Sequence, residues 1–158
     1  MKIQFIAQGI PESTGTPAGD VINNALQETS YNSFAAFVAF VSVDGIKQLQ
    51  EGFDKFIAAG GQIRLYVGVD LHGTSKEALE LLLSLDSINT FVVHSSNRIV
   101  YHPKIYSFEG DNKNMVMVGS SNLTVFPTSC ILFPFDKRTG YFCLSAWMTT
   151  VYLLITSG

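Results

Sequence analysis

Continuous apolar runs alternate with segments of helical spacing along the first 94 residues, and this alternation predicts the order of the elements. Apolar runs of strand-forming residues are typical of strands that are buried on both faces of a sheet. Apolar residues three or four positions apart are typical of helices that turn one face to a core. The predicted strands are Lys2–Gln8 (short and alternating), Ser33–Ser42, Gln62–Val69 and Asn89–His94, and the predicted helices are Asp20–Thr29 with a start nearer Pro17, Val43–Ala59 and Ser75–Leu85.

Two further strands follow this alternating part of the chain. Lys104–Glu109 and Met115–Val118 are separated by Gly110-Asp111-Asn112, whose residue types favour a tight turn, so the two strands are expected to form a hairpin. Strands that alternate with helices indicate an α/β fold. We therefore predict an α/β domain with a mixed, largely parallel central sheet and helices on both faces.

The pattern changes at Val125. The segment from there to Gly158 contains Pro127 and Pro134 and shows no helical periodicity, and its final apolar run, Tyr141–Ile155, is shorter than the about 20 residues that a membrane span requires. We divide the chain into a domain at residues 1–124 and an atypical C-terminal tail at residues 125–158. A tail that is translated out of frame, or that comes from a truncated gene, would explain the change, and reading the coding DNA in the other frames tests this hypothesis.

Composition and charge narrow the class of protein. The chain has 158 residues, which suits one domain, and its net charge of -3 does not suggest a protein that binds nucleic acid through a broadly basic surface. A local basic pocket can still hold a phosphate on an acidic protein. The two cysteines form no Cys-x-x-Cys or Cys/His cluster, so we expect no structural zinc site, and no other group of residues in the sequence suggests a metal or a cofactor. The N-terminus lacks the features of a secretory signal, which favours the cytoplasm.

The residues that suggest chemistry lie at the two ends of the predicted hairpin. His102 and Lys104 are two positions apart on a strand, so their side chains project from the same face. An imidazole can attack phosphorus or donate a proton, and an ammonium beside it can hold the non-bridging oxygens. Downstream, Gly119 permits close approach of the backbone, and Ser120 and Asn122 supply neutral donors. The hairpin is expected to bring both groups together as a phosphate site.

His-x-Lys followed by Gly-Ser-x-Asn is the signature of the phospholipase D superfamily, and YHPKIYSF and MVGSSNLT carry it here. With the looser IPESTGTPAGDVINNAL, the chain resembles the restriction-endonuclease branch over roughly residues 1–124. The resemblance implies that His102 is the nucleophile of a covalent phosphohistidine. It implies that Lys104, Ser120 and Asn122 bind the phosphate.

The same resemblance implies how the site is completed. Members with one motif pair two chains, so that one histidine attacks and its twin protonates the leaving oxygen. A homodimer, DNA as the substrate and a reaction without a metal are therefore implied, with sequence recognition left to a separate domain or partner chain.

Two departures from the family pattern bear on activity. Glu109 occupies the place of the aspartate in His-x-Lys-x4-Asp and is expected to support the site, as is Gly119. Phe133 stands where restriction-type members carry a glutamate that supports the nucleophilic histidine. The resemblance ends after Thr124, so the motif predicts the chemistry of the fold better than it predicts the activity of this chain.

Three functions remain open from the sequence. The first is a metal-independent DNA endonuclease of a restriction or defence system, and the second is the same chemistry on a phospholipid, which the acidic charge disfavours. The third is a vestigial or non-catalytic nucleic-acid-binding domain. His72 and Arg98 are secondary candidates for contact with substrate, whereas His94 is expected to be a structural residue at a strand end.

Overall fold

The computed structural model describes residues 4–6, 18–94, 100–124 and 130–134, and of these residues 4–6 and 130–134 are described as backbone strands. The elements follow the predicted order. The strands are β1 (Gln4–Ile6), β2 (Ser33–Val38), β3 (Gln62–Gly68), β4 (Ile88–Val93), β5 (Lys104–Glu109), β6 (Asn114–Gly119) and β7 (Cys130–Pro134), and the helices are α1 (Ala18–Leu26), α2 (Val43–Ala58) and α3 (Lys76–Leu83), with a 3-10 turn at Asp70–His72.

The described strands form one mixed sheet in the order β1-β7-β6-β5-β2-β3-β4. β2, β3 and β4 are parallel neighbours, because a helix crosses over between each consecutive pair. β5 and β6 form the predicted hairpin, and β5 joins the parallel part by pairing antiparallel with β2. The prediction of an α/β fold with a mixed sheet is confirmed, and its parallel part is confined to these three strands.

The three described helices lie on one face of the sheet. Both crossovers run in the same direction, from β2 to β3 to β4, and right-handed crossovers in one direction place their helices on the same side. α2 packs against both α1 and α3, which agrees with this arrangement. The described residues place no helix on the second face, where the prediction also put helices. None of the helices among the described residues is long and apolar enough to cross a membrane.

The core lies between the helices and the sheet. Phe34 of β2 packs in this core against Phe53 of α2 and Phe108 of β5. The centroid of its ring lies 6.0 Å from that of Phe53 and 4.5 Å from that of Phe108. All three rings are fully buried. Burial of aromatic side chains contributes strongly to stability, so this cluster fixes β2 and β5 side by side at the centre of the molecule. That pairing matters because both strands lead into the candidate site.

One strand lies inside the segment that the sequence sets apart as a tail. β7 pairs antiparallel with β6, with Cys130 opposite Gly119 and Phe133 opposite Val116, and also with β1. Part of the segment after Thr124 therefore belongs to the same sheet as the hairpin. Residues 125–129 and 135–158 lie outside the described residues, and the separate character of the tail stays a prediction.

Candidate active site

Both halves of the predicted phosphate site lie at one end of the sheet. Lys104 begins β5 opposite Val38, near the end of β2, and Ile105 pairs with Val118 one position before the end of β6. The hairpin therefore places the start of β5 beside the end of β6. The residues that precede β5 therefore lie beside those that follow β6. The chain also leaves β2 at this end of the sheet, because Val38, the last residue of β2, pairs with Lys104.

His102 and Lys104 are in direct contact. The Nζ of Lys104 lies 2.9 Å from Nδ1 and 3.2 Å from Nε2 of the His102 ring, and 3.2 Å from the carbonyl oxygen of His102. An ammonium only donates hydrogen bonds, so the ring nitrogen that it meets must carry a lone pair. The pair is open to solvent on the His102 side, whereas Lys104 is half-buried. The structure thus brings an imidazole and a cation together at a surface that a phosphate can reach.

The surroundings of this pair favour the neutral imidazole. Partial burial, followed by the charge of Lys104, lowers the pKa of His102 below its usual value of 6.5. Partial burial also lowers the pKa of Lys104. A histidine with a lowered pKa is largely unprotonated at neutral pH, which leaves a lone pair available for attack. The electrostatics therefore suit a nucleophile.

Replacement of Lys104 by methionine should raise the pKa of His102. Lys104→Met removes the positive charge that opposes protonation of the ring and keeps a chain of similar length, while the effect of burial remains. We expect the pKa of His102 to move upward toward its ordinary value, as measured by NMR titration of the imidazole protons. Lys55→Met, on the solvent side of α2, should leave that titration unchanged. An unchanged or lowered pKa in Lys104→Met would contradict the contact.

Asn122 reaches the same end of the sheet through Phe40. Its Oδ1 accepts a hydrogen bond from the backbone N–H of Phe40 at 3.2 Å, and the N–H of Leu123 donates to the carbonyl of Phe40 at 3.2 Å. Because Oδ1 is engaged, the amide NH2 is the part of Asn122 that is able to donate to an anion.

The ring of Phe40 meets the imidazole of His102 edge to face, with centroids 5.5 Å apart. Phe40 therefore connects the two halves of the motif. Sequence reasoning included it only as the end of an apolar run and assigned it no role in the site. Its position near the end of the predicted strand Ser33–Ser42 was the one feature of the sequence that pointed to the site.

Tyr106 secures the segment that leads to Asn122. Its ring is fully buried in the core, and its hydroxyl donates to the carbonyl of Ser121 at 2.8 Å. Ser121 is itself buried and precedes Asn122 directly. The core of the domain thus fixes the backbone that carries the asparagine.

Loss of this hydroxyl should weaken the fold measurably. Tyr106→Phe keeps the ring and removes the donor to Ser121, and a buried hydrogen bond contributes about 1 kcal/mol to stability. We expect the free energy of unfolding in urea to fall by about that amount. Tyr66→Phe is the matched control, because that half-buried ring stacks between Phe37 and Phe91 on the second face of the sheet. Equal stability of the two variants would contradict the role given to the hydroxyl.

The remaining predicted site residues divide into two groups. Gly119 ends β6 and Ser120 follows it as an exposed residue, so both lie beside the start of β5. Glu109 lies at the opposite end of β5, where it pairs with Ser33 and Asn114. Five residue steps along the strand separate it from Lys104, a distance of about 17 Å at about 3.4 Å per residue. The structure does not bring Glu109 to His102 or Lys104, because a strand is too rigid and extended for the two to meet.

A carboxylate that sequence reasoning missed lies next to the site. Asp70 follows β3, and its two oxygens meet the backbone N–H of Tyr101 at 2.9 Å and the Nδ1 of His94 at 2.8 Å. His94 is therefore part of a hydrogen-bonded group at the strand end. The sequence signal was an acidic residue directly after a buried strand, in Tyr66-Val67-Gly68-Val69-Asp70.

The other secondary candidates are placed less closely. His72 is exposed in the turn after β3. Burial, with a smaller contribution from Tyr66, raises the pKa of Tyr101 to about 12, so its hydroxyl stays protonated and is not a base. Arg98 lies outside the described residues, as do the side chains near Phe133. In residues 18–94 and 100–124, no group of three or more His, Cys, Asp or Glu side chains is arranged to hold a metal ion.

Comparison with known proteins identifies the fold. The sequence matches no protein-family model and no curated protein. Among solved structures, yeast tyrosyl-DNA phosphodiesterase is similar with a TM-score of 0.55 and 12% identity over 84% of this chain and 32% of that one. Polyphosphate kinase from Porphyromonas gingivalis has a TM-score of 0.60 and 11% identity over 83% and 23% of the two chains. NucT from Helicobacter pylori has a TM-score of 0.54 and 14% identity over 87% of each chain.

These neighbours define the class of fold. All three belong to the phospholipase D superfamily, so the domain has the phospholipase D-like α/β fold. The chain spans about a third of the yeast enzyme and about a quarter of the kinase, but most of the length of NucT. The fold is therefore the one that the His102 motif predicts.

Proposed function

We propose that this protein is a metal-independent phosphodiesterase that cuts DNA through a covalent phosphohistidine at His102. The observation that carries the proposal is the contact between the Nζ of Lys104 and the His102 ring, on a phospholipase D-like fold whose hairpin brings Asn122 to the same edge. One structural neighbour is named a tyrosyl-DNA phosphodiesterase, which supports DNA as the substrate class.

The chemistry follows from the groups at this edge. A ring nitrogen of His102 attacks phosphorus and forms a P–N bond, while the bond from phosphorus to the leaving oxygen breaks. That oxygen keeps the electron pair and takes a proton from a second imidazole. Water then attacks phosphorus and gives a proton to that imidazole, and the P–N bond breaks to return the electron pair to His102. Lys104, Ser120 and Asn122 stabilise the charge on the non-bridging oxygens throughout.

The second imidazole comes, in this proposal, from a second copy of the chain. One copy of the motif supplies one nucleophile, and a dimer with a two-fold axis places two identical sites face to face. The phosphodiesterase would act in a cytoplasmic restriction or defence system. Sequence recognition would then belong to a further domain or a partner chain.

Trapping the intermediate tests the proposal. The protein is mixed with end-labelled duplex DNA, quenched in alkali, in which a P–N bond survives, and examined for a covalent protein–DNA adduct. We expect an adduct that acid releases and that peptide mapping assigns to His102. Lys55→Met, which leaves the site intact, should form the same adduct.

The experiment also separates the two rival functions. Phe133 stands where related enzymes carry a supporting glutamate, and this favours a domain that is no longer catalytically active. A vestigial domain would bind DNA and form no adduct. A phospholipid phosphodiesterase would form its adduct with phosphatidylcholine and not with DNA. Either result would exclude the proposed function.

A further inference from the structure

The exposed imidazole of His102 is positioned in part through its own backbone. Its ring contacts Lys104 and Phe40 but stays open to solvent, and both residues next to His102 in the chain are anchored. The carbonyl of Pro103 accepts a hydrogen bond from the N–H of Ala39 at 2.9 Å. On the other side, the N–H of Tyr101 donates to Oδ2 of Asp70 at 2.9 Å. His102 therefore lies between two residues whose backbone is held by a hydrogen bond. On the Tyr101 side, the acceptor of that bond is the side chain of Asp70.

Asp70 is well placed to hold the backbone in this way. Its side chain is only 10% exposed, although it carries a charge, and charged groups are seldom buried without partners. Oδ1 meets the Nδ1 of His94 at 2.8 Å, and Oδ2 meets Tyr101. Since a carboxylate oxygen accepts, the geometry fits a His94 that carries its proton on Nδ1. Both oxygens are thus engaged, and the carboxylate has little freedom to rotate away from Tyr101.

The packing of Tyr101 strengthens this link to β3. A Cβ placed on Gly68, two residues before Asp70, would lie 2.9 Å from Cδ1 of the Tyr101 ring. The ring thus lies directly on the backbone of β3, and the same strand end holds the N–H through Asp70. Two separate contacts from β3 therefore fix the residue that precedes His102.

The two residues directly after Asp70 have a backbone conformation that residues with a side chain rarely adopt. Leu71 and His72 have φ values of 56° and 54°, in the left-handed region that costs a residue with a side chain about 1–2 kcal/mol. Such strain persists only where surrounding contacts fix the conformation, and it is common beside functional sites. The turn leaves Asp70 hydrogen-bonded to the N–H of Tyr101.

We propose that Asp70 is a positioning residue for His102, acting through the N–H of Tyr101, and that His94 holds the Asp70 carboxylate in place. The effect on rate rests on the proposed function, because it is the nucleophile that is positioned. A displacement of about 1 Å at a reacting group can reduce a rate about 100-fold. Loss of the Asp70 carboxylate should therefore affect the chemical step more than binding of DNA.

The test compares Asp70→Ala with Asp70→Asn. The alanine removes the acceptor for Tyr101, and we expect kcat for DNA cleavage to fall roughly 10- to 100-fold with little change in KM. The asparagine keeps an amide oxygen that accepts from Tyr101, and the ring of His94 can change tautomer to accept from its NH2. Asp70→Asn should therefore restore most of the rate. Asp54→Ala, an exposed carboxylate of α2, is the matched control and should behave as the wild type.

A second measurement does not depend on activity. Asp70→Ala should lower the NMR order parameters of the amides of Tyr101 and His102, and Asp54→Ala should leave them unchanged. Unchanged order parameters and an unchanged kcat in a folded Asp70→Ala protein would overturn the inference. If the wild type proves inactive on DNA, the proposed function fails, and the order parameters alone decide whether Asp70 positions His102.

Discussion

His102→Ala should abolish DNA cleavage, with a loss of about 10⁴-fold or more in rate, while an excess of EDTA leaves the wild-type rate unchanged. The large loss follows because the ring forms the bond to phosphorus, and no neighbouring group can replace a missing nucleophile. Insensitivity to EDTA follows because Lys104 and neutral donors stabilise the charge. Single-turnover cleavage of a labelled duplex, followed on a denaturing gel, measures both effects.

The control for this prediction is an exposed residue on a helix. Lys55→Met changes a side chain on the solvent side of α2 and should retain the wild-type rate. Cleavage by His102→Ala at the wild-type rate would place the nucleophile elsewhere. Complete loss of wild-type cleavage in EDTA, reversed by added magnesium, would replace the phosphohistidine mechanism with a metal-dependent one.

Gly45→Ala should have the second large effect, which is a loss of stability where α2 packs against the segment that follows Asn122. Gly45 lies in the first turn of α2, and a Cβ there would be 2.2 Å from the carbonyl oxygen of Leu123 and 2.8 Å from Cα of Thr124. Both atoms belong to backbone, which cannot move aside as a flexible side chain can. Overpacking costs about 1–3 kcal/mol and sometimes more, and it exceeds the gain of about 1 kcal/mol from alanine in a helix. We expect the free energy of unfolding to fall by about 2 kcal/mol or more.

The same change should also reduce the activity of the site, because Leu123 directly follows Asn122. The carbonyl of Leu123 accepts from the N–H of Ser42, so α2 and the asparagine segment share one hydrogen-bonded junction. Gly52→Ala, in the same helix, is the matched control: its Cβ would meet side-chain atoms of Asn23 and Leu26, which are able to shift. Urea denaturation measures the free energy of unfolding of both variants, and we expect the larger loss in Gly45→Ala. Equal losses of stability would show that the backbone contact of Gly45 is unimportant.

The hydrophobic pattern predicted most of the elements because period and burial agree within short segments. α2 ends one residue before its predicted boundary, and β5 has the predicted bounds. The start of α1 at Ala18 agrees with a helix that begins close to Pro17. β2 is shorter than the run Ser33–Ser42, because Phe40 leaves the sheet to meet Asn122 and Leu123. β7 was not predicted, since a short strand between prolines has no periodicity of its own.

The site was predicted in part, and for an identifiable reason. His102 and Lys104 share a strand face, so local geometry alone was enough to pair them. The hairpin turn then predicted that Gly119 and Ser120 return to the same edge. Glu109 and Lys104 are close in sequence but lie at opposite ends of β5, which the family pattern alone did not indicate. Asp70 follows a different strand, β3, and its place after that strand did not indicate that it contacts Tyr101.

The sequence by itself determined the class of fold, the hairpin and the His102–Lys104 pair, since each depends on residues a few positions apart. Only the tertiary structure decided that Phe40 joins the imidazole to Asn122, that Asp70 holds the backbone beside His102, and that Cys130–Pro134 adds a strand. These contacts depend on the order of strands in the sheet. That order is set by packing across the whole core, and no short stretch of sequence encodes it.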